Sequence, residues 1–140
     1  MRAVLDPNVI ISATLSPRGS PARVLRLWVE GWYDLVCSPL LLDELERSLL
    51  RPKLQQHVQP DETAELLDHL RERSLMIADP QVLPDVLSRD PDDNYLIALA
   101  SKSRSLLVSG DTDLLRLSDQ IPVYSPAESL ATLEDSNHRT

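Results

Sequence analysis

Short apolar runs bounded by turn residues alternate along this chain with longer amphipathic stretches. Ala3-Val4-Leu5, closed by Asp6-Pro7-Asn8, is the first such run, and brief continuous apolar runs predict strands buried on both faces, as in parallel sheets. Val9 to Leu15 reads as a helix after the turn. Ser20-Pro21 opens a second helix to about Glu30, because Ser is a favoured N-cap and Pro is pre-organised for the first helical position. Gly31 ends it. Tyr33 to Cys37 predicts the next strand, and Ser38-Pro39 repeats the start signal for a helix to about Leu50, stopped by Arg51-Pro52.

The second half continues the alternation. Asp61 to about Leu75 is a charged helix with Leu66, Leu67 and Leu70 as its apolar stripe, expected on the outside. Residues 76–90, with Pro80 and Pro84, form a connection with room for a short strand. Asp90-Pro91 starts a fifth helix to about Ser103, Ser105 to Ser109 is a strand, and Gly110-Asp111-Thr112-Asp113 is a turn into a short helix at Leu114 to Leu117. Ile121 to Tyr124 is the last strand. Ser125-Pro126-Ala127-Glu128 is a capping box for a closing helix. Strands alternating with helices, without hairpin signals, predict an α/β fold: a three-layer α/β/α sandwich on a mostly parallel sheet of four to five strands. One domain over residues 1–132 is expected, with 133–140 a frayed tail.

Composition narrows the chemistry. The chain has 140 residues, enough for one well-cored domain and too few for two ordinary ones. No apolar stretch approaches the roughly 20 residues that span a bilayer, and Asp6 and Asn8 interrupt the first apolar run too early for a secretory signal. A soluble, cytoplasmic protein is expected. Cys37 is the single cysteine, so an intramolecular disulfide is impossible and a small buried apolar role is expected. His57, His69 and His138 lie in polar stretches without zinc-ligand spacing and are expected at solvated surface. Trp28 and Trp32, one helical turn apart, fit core packing or an oligomer surface.

The net charge of −8 argues against a nucleic-acid binder that works by simple basicity. Its distribution is uneven, however. Residues 1–53 carry seven basic and six acidic side chains, net +1, whereas the remainder carries seven basic and sixteen acidic, net −9. Twelve of the fourteen basic residues are Arg, which suits bidentate phosphate contacts as well as a compositional bias.

Four carboxylates stand where a parallel α/β domain collects ligands, at the carboxyl ends of strands. Asp6 and Asp111 both follow strands, although Asp-Pro-Asn is also ordinary turn chemistry. Asn8 reads as the cap of the first helix or as a donor that orients Asp6. Asp93 shares a helical stripe with Ile97 and Ala100 and faces inward if they do, or is a plain first-turn acid favoured by the helix dipole. Glu44 borders the stripe Leu41, Leu45 and Leu49 while Asp43 points away, but Glu46 borders the opposite side equally well. Asp111 and Asp113 lie two apart in a turn, more than one cap requires.

In order, Leu5-Asp6-Pro7-Asn8-Val9, Leu40-Leu41-Leu42-Asp43-Glu44-Leu45, Arg89-Asp90-Pro91-Asp92-Asp93-Asn94 with Ile97-Ala98-Leu99-Ala100, and Leu107 to Leu115 resemble a PIN domain, and more narrowly the PIN-family toxins of bacterial toxin–antitoxin systems. The resemblance runs from residue 2 to about 130 and includes Arg51-Pro52-Lys53. It implies that Asp6, Glu44, Asp93 and Asp111 are catalytic metal-binding acids, with Asp113 a fifth and Asn8 and Ser109 supporting polar groups. Pro7 departs from the Thr or Ser usual in the family.

The activity implied is hydrolysis of RNA phosphodiester bonds with Mg²⁺ or Mn²⁺, two ions about 3.5–4 Å apart being the usual arrangement. All-oxygen ligands favour these hard ions over zinc. Asp6 and Asp93 would hold the primary ion, Glu44 and Asp111 would complete it or hold a second, and Asp113 would orient the water. Arg18, Arg23 and Arg47 are candidates for phosphate contacts. Expected partners are RNA, an antitoxin whose tail plugs the acidic groove, and further copies of the chain in a homodimer or higher homo-oligomer, with no membrane. The competing expectation is a catalytically weak binding module that acts through protein association. An aspartyl phosphatase fits less well, because such enzymes resemble Asp-x-Asp after the first strand and this chain has Asp6-Pro7-Asn8.

Overall fold

The structure, a computed structural model, describes residues 1–137. Strands β1 (Arg2–Leu5), β2 (Asp34–Cys37), β3 (Leu75–Met76), β4 (Leu106–Val108) and β5 (Val123–Tyr124) form one sheet in the order β3-β2-β1-β4-β5. Every pairing is parallel, with Val4 opposite Val36 on one side and Leu107 on the other. Parallel neighbours need crossovers, which are nearly always right-handed. From β1 the chain steps outward to β2 and β3, then returns past them to β4 and β5. The reversal divides the helices between the two faces. Helix α1 (Pro7–Leu15) packs against both α2 (Ser20–Val29) and α3 (Pro39–Leu49), and α5 (Pro60–Arg73) lies against α3. Helix α6 (Asn94–Ser103) packs on β1 and β4, and α8 (Pro126–Asn137) closes on α2. Two single turns, α4 (Pro52–Gln55) and α7 (Thr112–Leu115), complete the set.

The predicted α/β/α sandwich is therefore present, with five strands. Its core joins Val4, Leu5, Leu35, Val36 and Leu107 of the sheet to Ile10, Leu41, Leu45, Leu99 and Leu133 of the helices. Several boundaries move for identifiable reasons. Helix α1 starts at Pro7, two residues before the expected position, because Asp6 itself is the N-cap. Arg51-Pro52 ends α3 as expected, yet Pro52 then serves as the first residue of α4. Helix α5 stops at Arg73 because Leu75 is taken into register with Val36. The closing helix continues to Asn137 instead of fraying from 133; Leu133 is fully buried and Glu134 meets Arg23 of α2 at 3.5 Å. Residues 138–140, with His138, lie outside the described residues.

Trp28 is buried and meets the ring of His69 edge-on at 5.3 Å, so core packing accounts for this tryptophan and His69 is half-buried instead of solvated. Trp32 packs partly against the core. Cys37 is buried, and burial pushes its thiol up to about 11, well away from reactivity at neutral pH. No helix among the described residues is long and apolar enough to cross a membrane.

Gly31 follows α2 with φ 87°, the left-handed geometry a glycine takes without a Cβ penalty. Arg104 caps α6 in the same region, at φ 54° and ψ 47°, and does carry a Cβ. Replacing it with glycine, Arg104→Gly, should raise unfolding free energy by about 1 kcal/mol, measured by denaturant titration. A loss of stability would mean that contacts of the Arg104 side chain outweigh the backbone strain.

Candidate metal centre

The reversal of chain direction between β1 and β4 leaves a crevice outside the carboxyl ends of those two strands. Asp6 follows β1, and Ser109, Gly110 and Asp111 follow β4. Asp6 is only 5% exposed. Its backbone N–H donates to the carbonyl of Val108 at 2.9 Å, locking the end of β1 to β4. Its Oδ1 accepts the backbone N–H of Asn8 at 2.9 Å, and its Oδ2 accepts the hydroxyl of Ser109 at 2.8 Å. Ser109 Oγ also accepts the backbone N–H of Asp111 at 3.0 Å, so one buried hydroxyl fixes both Asp6 and the turn that carries Asp111. Asp111 in turn caps α7 by accepting the N–H of Asp113 at 3.0 Å.

Asp93 and Glu44 approach from helices. Asp93 ends a 3₁₀ turn, Pro91–Asp93, capped by Asp90, whose Oδ1 accepts the N–H of Asp92 at 3.0 Å. Ile97 and Ala100, on the Asp93 stripe, are buried, so that stripe does face inward. Ser88 ties the turn down: its hydroxyl reaches Asp93 Oδ2 at 3.5 Å, and its N–H donates to Asn94 Oδ1 at 2.8 Å. Glu44 borders the fully buried Leu41 and Leu45, and its Oε2 accepts the hydroxyl of Tyr95.

The electrostatics record how closely these acids converge. Burial raises the Asp6 carboxyl above its ordinary value, and the charges of Glu44 and Asp111 add to this against the hydrogen bonds from Asn8 and Ser109. Asp93 is pushed up to about 7, first by burial, then by a hydrogen bond and charge from Asp111, then by the charges of Asp90 and Asp6. Tyr95 is raised well beyond its ordinary value by burial, the Glu44 contact, and the charges of Glu44, Asp6 and Asp79. The carboxyl of Asp93 is therefore held protonated well above the ordinary carboxylate range. The four acids converge without closing into a cage: among the described residues no three His, Cys, Asp or Glu side chains are already placed to ligate one ion.

A pH dependence follows. Folded Asp93 holds its proton more tightly than the unfolded chain does, so it contributes stability that is full below the ordinary value of 3.8 and is lost as pH rises through about 7. In EDTA the melting temperature of the wild type should fall, relative to Asp93→Asn, between about pH 4 and about pH 8. Parallel profiles for the two proteins would contradict the raised carboxyl of Asp93.

Not every candidate residue joins the group. Asn8 contributes its backbone N–H while the residue itself is exposed. Asp113 sits in the first turn of α7, and the charges bearing on Asp6 and Asp93 come from Glu44, Asp90 and Asp111 instead. Arg47 lines a groove of about 530 Å³ beside Glu44, together with Arg51, Pro91 and Tyr95. Arg18 and Arg23 do not line it; Arg23 is engaged by Glu134, and Arg18 lies past the far end of α1, roughly 14 Å along the helix from Asp6. Pro7 stands at the first helical position, where a missing N–H leaves no bond unmade. Sequence reasoning missed Ser88, Tyr95 and Asp79. Asp79 Oδ2 accepts the N–H of Leu40 at the start of α3, while its Oδ1 is buried without a hydrogen-bond partner. A larger apolar cavity, about 650 Å³, lies at the opposite, amino end of the strands around Met1, Leu106 and Ile121, and no acid lines it.

Residues 2–113 match the family model for the PIN domain, and the chain belongs to the PIN domain family. Over 121 residues it is 33% identical to the uncharacterized protein MJ1680 of Methanocaldococcus jannaschii, an alignment covering 86% of this chain and 77% of that protein. Its fold is similar to a chain of VapBC2 from Rickettsia felis, solved bound to a DNA fragment from their promoter, with a TM-score of 0.60 and 15% identity over 89% of this chain and 98% of that one. It is also similar to the PilT N-terminus domain protein SSO1118 of Sulfolobus solfataricus P2, with a TM-score of 0.51 and 15% identity over 95% and 93% of the two chains. At such identity the two structures speak for the fold alone.

Proposed function

We propose that this PIN domain is a Mg²⁺- or Mn²⁺-dependent ribonuclease that hydrolyses RNA phosphodiester bonds, acting as the toxin of a toxin–antitoxin pair. PIN domains are generally nucleases and typically use divalent metals. The observation that carries the reading is the gathering of Asp6, Glu44, Asp93 and Asp111 at one switch point, where Asp6 bears the charges of Glu44 and Asp111, and Asp93 those of Asp111 and Asp6. Structural acids separate or pair with cationic side chains, whereas these bear on one another, and a cation would relieve that repulsion. Their donors are all oxygen, which fits Mg²⁺ or Mn²⁺.

A divalent cation bound there supplies a water of lowered pKa and charge stabilisation for the leaving oxygen. The chain supplies the geometry. Ser109 and the Asn8 N–H hold Asp6 in one orientation and leave further lone pairs of both oxygens free for the crevice. Ser109 aligns Asp111 through the backbone, Asp113 is available to orient the attacking water, and Arg47 to hold the phosphate. The protein partners proposed are an antitoxin and further copies of the chain. The splayed acids and the engagement of Glu44 by Tyr95 favour a second reading, a catalytically weak module that acts by association.

Purified protein incubated with single-stranded and structured RNA should cleave in Mg²⁺ or Mn²⁺, stop in EDTA, and recover when metal is restored. Cleavage that persists in EDTA would sink the metal mechanism. No cleavage and no calorimetric heat from Mn²⁺, in protein isolated as a folded particle of two or more chains, would favour the association module instead.

A further inference from the structure

The apolar cavity at the amino ends of the strands lies at the opposite end of the sheet from the acids. Its volume is about 650 Å³, and its walls include Ile97 and Ala100 of α6, Leu106 and Leu107 of β4, and Ile121 ahead of β5. A concave site of that size, apolar with a few polar groups, suits a small organic ligand. The charged groups on it are all of one sign. The chain has 22 acidic residues, yet among the described residues no acid lines this cavity, whereas Arg2 and Arg104 both do. Arg2 spends only one of its donors on the end of α6, its Nη1 reaching the carbonyl of Ser103 at 3.3 Å. The guanidinium of Arg104 makes no hydrogen bond or salt bridge among the described residues, and neither does the hydroxyl of Tyr124, which lines the same cavity.

Arg104 is also the one described residue other than glycine with a positive φ, 54°. Glycine would close α6 there without strain, so the backbone gives no reason for an arginine. Strain held at a residue with a free charged side chain beside a cavity is a mark of function. We propose that this cavity binds an organic carboxylate with a hydrocarbon body, the body against Ile97, Leu106 and Ile121 and the carboxylate on Arg104 and Arg2 at the mouth. Arginine meets a carboxylate through two parallel N–H···O bonds, and apolar walls strengthen such a pair by lowering the local dielectric. A cation of the same shape would meet two like charges, and a neutral alcohol would leave the guanidiniums to water. The site is separate from the metal centre, and nothing in it rests on the ribonuclease reading.

The test uses octanoate as probe, titrated calorimetrically into the wild-type protein in EDTA beside octanol, octyltrimethylammonium and acetate. Octanoate should bind at a single site with sub-millimolar affinity and raise the melting temperature, and octanol should bind about tenfold more weakly. Octyltrimethylammonium and acetate should give no saturable heat. Arg2→Gln with Arg104→Asn should bring octanoate down to the affinity of octanol and leave octanol unchanged. Both positions are exposed, and asparagine accepts left-handed backbone, so the variant keeps the fold. Gln120→Trp, at an exposed position on the cavity wall, should abolish binding of both ligands by filling the space. Octanol binding as tightly as octanoate, saturable binding of the cation, or wild-type affinity in the arginine variant would overturn anion recognition. Octanoate binding that survives Gln120→Trp would place the ligand elsewhere. Neither saturable heat nor a rise in melting temperature with octanoate would remove the site.

Discussion

Asp6→Asn should lower metal-dependent RNA cleavage about a thousandfold and, in EDTA, raise the melting temperature. The two effects have one cause. The Asn carbonyl can still accept the N–H of Asn8, so the cap of α1 survives. The Asn amide group can donate to the Ser109 hydroxyl, which turns from donor to acceptor. What disappears is a buried negative charge that already repels Glu44 and Asp111. Without metal that loss relieves the native state; with metal it removes a ligand worth several kcal/mol of charge stabilisation, which at about 1.4 kcal/mol per tenfold is about three decades. The check is paired: single-turnover cleavage in Mn²⁺, and thermal melts with and without Mn²⁺. The melting temperature of the wild type should rise on adding Mn²⁺, and that of the variant should not. A variant that melts lower in EDTA while retaining cleavage would assign Asp6 to capping alone.

Leu45→Ala carries the second large effect. Leu45 is fully buried between Leu41 and Leu49 on the inward stripe of α3. Truncating such a residue costs about 2–5 kcal/mol, a large share of the roughly 5–15 kcal/mol that holds a domain together, and should lower the melting temperature by about 10 °C. The neighbouring residue on the helix is Glu44, so a shift of α3 into the cavity also moves that carboxylate relative to Asp6. Activity assayed well below both melting temperatures should therefore fall as well. A cost under about 1 kcal/mol would show that the site relaxes freely and that the leucine stripe does not set the position of Glu44.

The parts of the site that were legible before the fold are those with local causes. Ser38-Pro39 and Asp90-Pro91 announce helix starts because capping and proline geometry act within one turn; Pro39 opens α3 where expected, while Pro91 opens a 3₁₀ turn that passes into α6 only at Asn94. Helical periodicity placed Asp93 on the stripe of Ile97 and Ala100, which are buried, but left open whether it was only a first-turn acid. Residues 76–90 lack any period, and Ser88 and Asp79 were invisible for that reason. Tyr95 was overlooked although its helix was recognised, because its partner Glu44 lies 51 residues earlier. An arginine count marks a chain half without a direction in space, so it groups Arg18 and Arg23 with Arg47, although of these three only Arg47 lines the groove.

The sequence by itself determined the order of elements, their buried faces, and which acids stand at the ends of strands, since periodicity, capping and turn chemistry operate over a few neighbouring residues. Tertiary structure alone decided which of those acids meet. Asp6 and Ser109 touch across 103 residues because β1 and β4 became neighbours when the chain reversed its direction across the sheet. That adjacency is set by crossover handedness and by burial of both faces of the sheet, and no local pattern in the chain encodes it.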